Sequence, residues 1–142
     1  MKYQAEEIDL INGLYPIQVA AVSEEEFEGK FGKYLILSFR IPAKMIEGEN
    51  ELDVEFTRPM SAKILPSTNL GRVVTAVNAG EYPTGKAVDT SDLEGLWFEG
   101  MIEQKFDEQY VQTTIHTYNP LSDKLRKKLG KEIEVKEAPF NF

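Results

Sequence analysis

The sequence predicts a mainly β protein: a five-stranded antiparallel barrel with one helix between the third and fourth strands and a short C-terminal helix. Short segments alternate apolar and polar side chains, as half-buried strands do, and Gly, Pro, Asn and acidic residues separate them. After the third segment, apolar residues recur at helical spacing instead. The 142 residues suit a single domain, 1–142, with a core over about 14–121 and a helix and tail over 122–142.

The first two strands are predicted over 14–23 and 32–41, with a charged, glycine-containing hairpin loop over 24–32 between them. In the first strand, one parity carries Tyr15, Ile17, Val19 and Ala21. In the second strand, the parity that suits a core carries Leu35, Leu37, Phe39 and Ile41. The opposite parity presents Tyr34, Ile36, Ser38 and Arg40 to whatever lies outside.

A third strand is predicted over 52–57, and Arg58-Pro59 is expected to end it. The helix that follows is predicted over 68–79, because Leu70, Val73, Val74 and Val77 form one apolar stripe. Ser67 or Thr68 can cap its start, and Gly80 suits a left-handed C-terminal cap. A loop over 81–90 leads into a short helical turn that Ser91 caps.

The fourth and fifth strands are predicted over 96–106 and 109–118, and Gly100 indicates a bulge or a tight bend inside the fourth. A short helix, capped by Ser122 and closed by Gly130, follows the fifth strand, and Leu121, Leu125 and Leu129 mark its narrow apolar stripe. Residues 132–136 are expected to form a short edge strand, and 139–142 a tail. Three strands, a helix and two strands is the connectivity of the partly open Greek-key barrel called the OB-fold, although other small barrels and β-sandwiches remain alternatives.

Composition excludes several classes of protein. With no cysteine, the chain cannot hold disulfides, thiolate zinc sites or a cysteine nucleophile, which fits a reducing compartment. No apolar run approaches the roughly 20 residues of a membrane span, and the N-terminus lacks the pattern of a secretory signal. We therefore expect a cytoplasmic protein without membrane partners, in the interior of the host cell if it is viral.

The net charge of −8 hides a pattern in which the sign of the charge changes from segment to segment. Residues 30–46, 57–88 and 109–131 sum to +4, +3 and +4, while the four segments around them are acidic. One interpretation is ordinary solvated surface charge. The other is that the three basic segments meet on one face and neutralise phosphates, which supply most non-specific nucleic-acid affinity.

Several short motifs, in order over about residues 14–121, resemble a family of small OB-fold proteins of phages, prophages and related replicons that are similar to single-stranded DNA-binding proteins. The motif at the start of the second strand is Phe31-Gly32-Lys33-Tyr34-Leu35. The motifs before the helix and before the fourth strand are Ser67-Thr68-Asn69-Leu70 and Asp92-Leu93-Glu94-Gly95-Leu96, and Pro120-Leu121 follows the last strand. The resemblance implies a non-enzymatic protein of replication or recombination in a phage or mobile replicon.

Proteins that bind single strands combine a cationic groove with aromatic side chains on which bases stack. The residue types and positions in this sequence predict a nucleic-acid site made of Lys30, Phe31, Lys33, Tyr34, Arg40, Arg58, Lys63 and Tyr110. Single-stranded DNA is the expected partner, and RNA is an alternative. Acidic side chains in the first hairpin loop and on the third strand depart from the pattern of a strong DNA binder.

Other functions have weaker sequence support. His116, the only histidine, could be a general base, but no nucleophile or metal-ligand spacing accompanies it, so we expect no enzyme activity and no cofactor. The alternating acids over 47–55 are spread too widely for a cation loop. The main alternative is a protein–protein adaptor or structural module. The segment 137–142 faintly resembles the tips through which single-strand binding proteins recruit replication proteins, and a packed tail is the other interpretation.

Overall fold

The computed structural model describes residues 13–46, 52–106, 111–131 and 133–139. Its strands are β1 (Gly13–Val22), β2 (Phe27–Gly29), β3 (Gly32–Ile41), β4 (Val54–Ser61), β5 (Trp97–Phe106) and β6 (Val111–Ile115). The helices are α1 (Asn69–Val77) and α2 (Asp123–Leu129), and short 3-10 turns cover Ala43–Met45 and Thr90–Leu93. All six strands belong to one open antiparallel sheet, in which β3 pairs with β1, β1 with β5, and β5 with β6. Strands β2 and β1 pair with successive parts of one edge of β3, and β4 pairs with its other edge. The mainly β prediction is confirmed.

Strand β1 joins the two halves of the sheet. Its first half pairs with β5, from Gly13 opposite Ile102 to Gln18 opposite Trp97, and its second half pairs with β3. The register with β3 shifts between Val19 and Ala21, so a bulge bends the strand there. The bulge turns Val22 into the core and leaves Ala21 exposed, so Ala21 does not share the buried face of Tyr15, Ile17 and Val19 despite its parity.

The predicted hairpin loop over 24–32 contains a strand, which corrects the expected count of five. Residues 27–29 pair with 34–32 of β3, and only Lys30 and Phe31 connect the two strands. All three residues of β2 are exposed, so the charged Glu28 can be part of a strand without being buried. Sequence periodicity cannot detect such a strand, because cross-strand pairing to β3 rather than burial of one face holds it.

Strand β4 runs through Arg58-Pro59, where the sequence predicted its end. Ala62 N donates to Lys33 O, so the hydrogen-bonded pairs of this ladder fall on every second residue, counting from Ala62 opposite Lys33. Pro59, opposite Ile36, therefore occupies a non-hydrogen-bonded position, and its nitrogen faces away from β3. An edge strand tolerates proline at such a position, because no ladder bond is lost.

Helix α1 forms where the sequence predicted a helix, and its apolar stripe is buried. Thr68 Oγ1 accepts a hydrogen bond from Gly71 N at 3.1 Å, and the predicted stripe is buried at Leu70, Val73, Val74 and Val77. The C-terminal cap is Asn78, and the left-handed residue that follows it is Ala79, with φ +56°, rather than the predicted Gly80. Gly80 lies one residue further on, has φ +84° and donates its N–H to Thr75 O at 2.9 Å. A Cβ on Gly71 would lie 1.7 Å from Leu65 O, so this weak helix former is needed for close approach of the backbone.

Gly100 of β5 also marks a close approach. A Cβ there would lie 2.5 Å from Thr117 O. After the ladder between β5 and β6 ends at Ile102 opposite Ile115, the next bridge between β5 and the segment that follows β6 joins Glu99 to Asn119. The bulge that the sequence predicted in the fourth strand thus lies across from Gly100, and β6 ends at Ile115 rather than at 118. Residues 109 and 110 lie outside the described residues.

The C-terminal part of the chain packs on the sheet. Ser122 Oγ accepts from Leu125 N at 3.3 Å, and Leu125 and Leu129 of α2 are buried, as predicted. The 3-10 turn Thr90–Leu93 is capped by Asp89 rather than by Ser91, whose N and Oγ both donate to Asp89 Oδ1. Residues 133–139 form no strand, which corrects the predicted edge strand as far as the structure describes it. No helix in the described ranges is long and apolar enough to cross a membrane.

Candidate nucleic-acid interface

The hairpin between β2 and β3 presents the most exposed aromatic ring among the large hydrophobic side chains that the structure describes. Lys30 and Phe31 form its tip, and the Phe31 side chain is 96% exposed. Lys30 Nζ lies 5.9 Å from the centre of the Phe31 ring, within cation–π range. Gly32 has φ +108°, so the tight turn requires glycine there. The turn geometry therefore displays an aromatic ring and an ammonium group together.

A second aromatic surface lies at the base of this hairpin. Phe27 and Tyr34 are cross-strand partners, and their rings stack with centroids 5.6 Å apart at 28°. Phe27 is 41% exposed, and a Cβ on Gly29 would come within 3.0 Å of the Tyr34 ring, so glycine makes room for the stack. Sequence reasoning missed Phe27 because acidic residues surround it. The near-symmetric spacing of Phe27-Glu28-Gly29 and Gly32-Lys33-Tyr34 about the tip could have indicated the pairing.

A groove of about 360 Å³ lies beside the hairpin, a size within the usual range of ligand sites. Its walls are residues 29–34 of the hairpin together with Pro59, Met60 and Ser61 of β4. Four of the residues predicted from the sequence, Lys30, Phe31, Lys33 and Tyr34, are thus gathered around one concavity. Lys33 Nζ lies 3.7 Å from Glu26 Oε2, but both side chains are half exposed or more, so this pair is weak.

Along the outward face of β3 and β4, the groove continues into a strip of uncharged side chains. Ile36 lies opposite Pro59, and Ser38 lies opposite Thr57. Cross-strand partners share a face of the sheet, so these four residues lie on the same side as Tyr34. The strip ends at Arg40 opposite Glu55.

Arg40 is held by other residues of the chain. Its Nε donates to Gln18 Oε1 at 2.8 Å, its Nη1 donates to Asp53 Oδ2 at 2.7 Å, and its guanidinium carbon lies 5.7 Å from the Trp97 ring centre. Hydrogen bonds from the Arg40 side chain and from Ala43 N lower the pKa of Asp53. The predicted phosphate ligand Arg40 therefore already has a carboxylate partner.

Arg58 lies on the opposite face from Tyr34. It shares parity with the buried Val54 and Met60, and its cross-strand partner Leu37 is fully buried. Because Arg58-Pro59 was expected to end the third strand, the sequence pattern assigned Arg58 to neither face of the sheet. Lys63 lies beyond the end of β4 and is exposed. The eighth predicted site residue, Tyr110, lies outside the described residues.

The three basic segments are spread along the sheet rather than collected at the groove. Lys44, which follows β3, donates through Nζ to Leu129 O and so ties α2 to the far end of β3. The basic residues of α2 therefore lie toward that end, whereas Lys30 and Lys33 lie at the beginning of β3. Among the residues that line the hairpin groove, Lys30 and Lys33 carry the positive charge.

His116 Nε2 lies 2.8 Å from Glu103 Oε2 in an exposed pair. In the described ranges, no group of three or more His, Asp or Glu side chains gathers as a metal site. The acids at 47, 49 and 51 of the alternating run lie outside these ranges, and Asp53 pairs with Arg40. Comparison with known protein families and with curated proteins finds no match for this chain.

Proposed function

We propose that the chain is an OB-fold-like protein that binds single-stranded nucleic acid through the β2–β3 hairpin and the outward face of β3 and β4. The order of pairing supports this fold: β1 pairs with both β3 and β5, and α1 lies between β4 and β5 in the chain. In OB-folds, the second and third strands of the barrel commonly carry the oligonucleotide. Those strands correspond to β3 and β4 here, since β2 belongs to the first hairpin.

The observation that carries the proposal is the pair of aromatic surfaces beside two lysines: Phe31 at the tip and the Phe27–Tyr34 stack at the base. Stacking of a base on such a ring contributes about 1–3 kcal/mol whatever the base, so binding requires an unpaired strand but little sequence preference. Lys30 and Lys33 would neutralise phosphates of the same strand. The uncharged strip of Ile36 and Ser38 would let the strand continue along the face.

The acidic residues around the hairpin limit the affinity that we expect for nucleic acid. Glu24, Glu25, Glu26 and Glu28 are exposed beside the hairpin, and the whole chain carries −8. With two lysines in contact, the slope of log K against log salt should be about −1.4, at about −0.7 per phosphate neutralised on a single strand. Affinity is therefore expected to be modest and to depend more on stacking than on charge.

The second candidate function is a protein–protein module. The engagement of Arg40 by Gln18 and Asp53 favours it, because a cation that the binding face should offer is already paired. In this alternative, the exposed Phe31 anchors in a pocket of a partner protein, as aromatic side chains do at interfaces. Recruitment of a replication protein by the tail stays a prediction, since residues 140–142 lie outside the described ranges.

We further propose that the protein is not an enzyme and acts in the cytoplasm, in replication or recombination of a phage or mobile replicon. The absence of a nucleophile next to His116 in the sequence supports the first point. The lack of cysteine supports a reducing compartment. Single-stranded DNA is the proposed ligand, with RNA as the alternative.

One titration separates the two candidate functions. Fluorescent oligodeoxythymidine, its RNA counterpart and a duplex of equal length are titrated with the full chain at about 20 mM and 150 mM salt. The proposal predicts saturable binding of the single strands, at least tenfold weaker binding of the duplex, and weakening with salt. If no oligonucleotide binds at about micromolar concentration in low salt, where even non-specific binders associate, the protein–protein module is the better account.

A further inference from the structure

A cavity of about 370 Å³ lies where the end of α1, the first residue of β5, α2 and the C-terminal segment 135–138 come together. This volume is within the usual range of small-molecule sites, and even an engineered cavity of about 150 Å³ can hold a benzene ring. None of the residues that line the cavity also lines the hairpin groove. The cavity is therefore a second concave site, independent of the proposed strand-binding function.

Apolar side chains form one part of the cavity wall. Trp97, the only tryptophan in the sequence, is 3% exposed and lines the cavity. The guanidinium carbon of Arg40 lies 5.7 Å from the centre of the Trp97 ring, which helps to hold the ring in place. Val77 at the end of α1 is buried, and Leu121 and Val135 are half-buried beside the cavity. Side chains of this kind are the usual lining of pockets that take an apolar group.

Two cations line another part of the same cavity. Arg126 of α2 and Lys136 of the C-terminal segment are exposed, and Glu137 is the one acidic residue among the described lining residues. Two cations and one acid leave the lining with a charge of +1. No described acidic side chain forms an ion pair with Arg126 or Lys136. An exposed guanidinium can donate two parallel hydrogen bonds to a carboxylate, so the lining suits an anionic group.

The position of Arg126 on α2 distinguishes it from the other cations of that helix. Leu125 and Leu129 form the buried stripe of α2, and Arg126 lies about 100° round the helix from Leu125. Lys124 is also exposed but lies about 100° round in the opposite direction. Of the cations on α2, Arg126 alone lines the cavity, as far as the structure describes its walls. Arg126 and Lys124 are therefore a matched pair for an experiment.

We propose that the cavity binds a small aromatic monocarboxylate, with its ring against Trp97 and Val77 and its carboxylate paired with Arg126. The single net positive charge of the lining favours one carboxylate over a cation or a dianion. Aromatic rings that pack against each other gain energy beyond the area they bury, so an aromatic body suits the wall that contains Trp97. A nucleobase is a poorer occupant, because bases stack on exposed ring faces and the Trp97 ring is buried.

The test uses 3-phenylpropionate, titrated into the full chain at constant ionic strength and followed by the emission of Trp97. Because the chain has no other tryptophan, a change in emission reports on this cavity. The wild type should bind saturably, with a dissociation constant of about 1 mM or lower. Arg126→Met should weaken binding about tenfold, since charge-assisted hydrogen bonds are lost, and Arg126→Lys should weaken it less. The matched control Lys124→Met should change the affinity less than twofold.

Two further ligands separate the contributions of the ring and the charge. The alcohol 3-phenyl-1-propanol keeps the ring without the charge, and propionate keeps the carboxylate without the ring. Calorimetry should show each of them binding at least tenfold more weakly than 3-phenylpropionate. Phe31→Ala should leave binding of 3-phenylpropionate unchanged, so failure of strand binding and failure of this site are separate outcomes.

Thermal unfolding gives a second readout of the same variants. Arg126 is exposed, so Arg126→Met should melt close to the wild-type temperature without ligand. With 3-phenylpropionate, the wild type and Lys124→Met should gain the same increase in melting temperature, and Arg126→Met should gain less. The inference is overturned if 3-phenylpropionate does not bind saturably up to about 10 mM, if Arg126→Met and Lys124→Met behave alike, or if the alcohol binds as tightly as the carboxylate. Displacement of the ligand by oligodeoxythymidine would assign the cavity to nucleic acid and also overturn it.

Discussion

The two ends of β3 carry the same kinds of side chain in opposite circumstances. At the beginning, Lys33 and Tyr34 stand beside the exposed Phe31 and line an open groove. At the end, Arg40 lies on Trp97 and donates to side chains of its own chain, and only 28% of its side chain is exposed. A cation next to an aromatic ring thus stabilises the fold at one end and is exposed to solvent at the other. The difference lies in the partners that the chain itself provides.

The largest loss of stability should come from replacing Arg40, the cation that is bound by other side chains of the chain. Arg40→Ala breaks the hydrogen bonds to Gln18 and Asp53 and leaves the Asp53 carboxylate without its guanidinium. Hydrogen bonds to charged groups contribute about 1.5–3 kcal/mol, so the free energy of unfolding should fall by about 2–3 kcal/mol. Urea denaturation measures it. Lys30→Ala at the other end should change it by less than about 0.5 kcal/mol, and equal losses would contradict the comparison.

Removing the exposed Phe31 ring should weaken oligonucleotide binding and leave the stability of the fold nearly unchanged. Phe31→Ala deletes a stacking surface, so the dissociation constant for oligodeoxythymidine should rise about tenfold, corresponding to about 1.4 kcal/mol. The free energy of unfolding should stay within about 0.5 kcal/mol of the wild type, because the side chain is in solvent. Leu52→Ala, which truncates another exposed apolar side chain, is the matched control for fluorescence anisotropy. Equal binding by both variants would contradict a role for Phe31.

Acid should selectively weaken the far end of β3. The pKa of Asp53 is lowered from its ordinary 3.8 in the folded protein, so this carboxylate stabilises the fold above that value. The contribution is lost as the pH falls below 3.8 through the folded-state pKa. Asp53→Asn should therefore be less stable than the wild type at pH 6, and the gap should narrow toward pH 3 in urea titrations. A gap that stays constant with pH would show that the charge of Asp53 is not what matters.

The smallest effect is expected at His116. Its pair with Glu103 is exposed, and such pairs contribute about 0.2–1 kcal/mol. His116→Ala should lower the free energy of unfolding by less than about 1 kcal/mol and leave oligonucleotide affinity unchanged. A phosphodiesterase or nucleotide-hydrolysing activity that disappeared in this variant would overturn the non-enzymatic proposal.

Much of the fold could be predicted because the spacing of apolar residues along the sequence indicates which face of a strand or helix is buried. The inward parity of Leu35, Leu37 and Phe39 and the helical stripe around Val73 are properties of local sequence, and the structure confirms both. Features that depend on a distant partner could not be predicted. Pro59 is tolerated because its nitrogen faces away from β3, and β2 forms because β3 is there to pair with it.

The residues of the candidate site also fall into those that local sequence could predict and those that depend on distant partners. Lys30, Phe31, Lys33 and Tyr34 are neighbours in the chain, so the sequence could predict that they act together. Whether Arg40 is available depends on Gln18 and Asp53, which other strands and loops bring to it. The face on which Arg58 lies depends on β4 extending past the residue that was expected to end it. Local pattern identifies cations, and tertiary contacts decide which of them can bind a ligand.

The most direct test of the strand-binding account is the salt dependence of oligodeoxythymidine affinity for the wild type, Phe31→Ala and Lys33→Gln. The account predicts a wild-type slope of log K against log salt near −1.4, a parallel but lower line for Phe31→Ala, and a slope flatter by about 0.7 for Lys33→Gln. Stacking and phosphate contact would then be assigned to separate side chains of the same hairpin. Three superimposed lines, or a wild-type slope near zero, would contradict it.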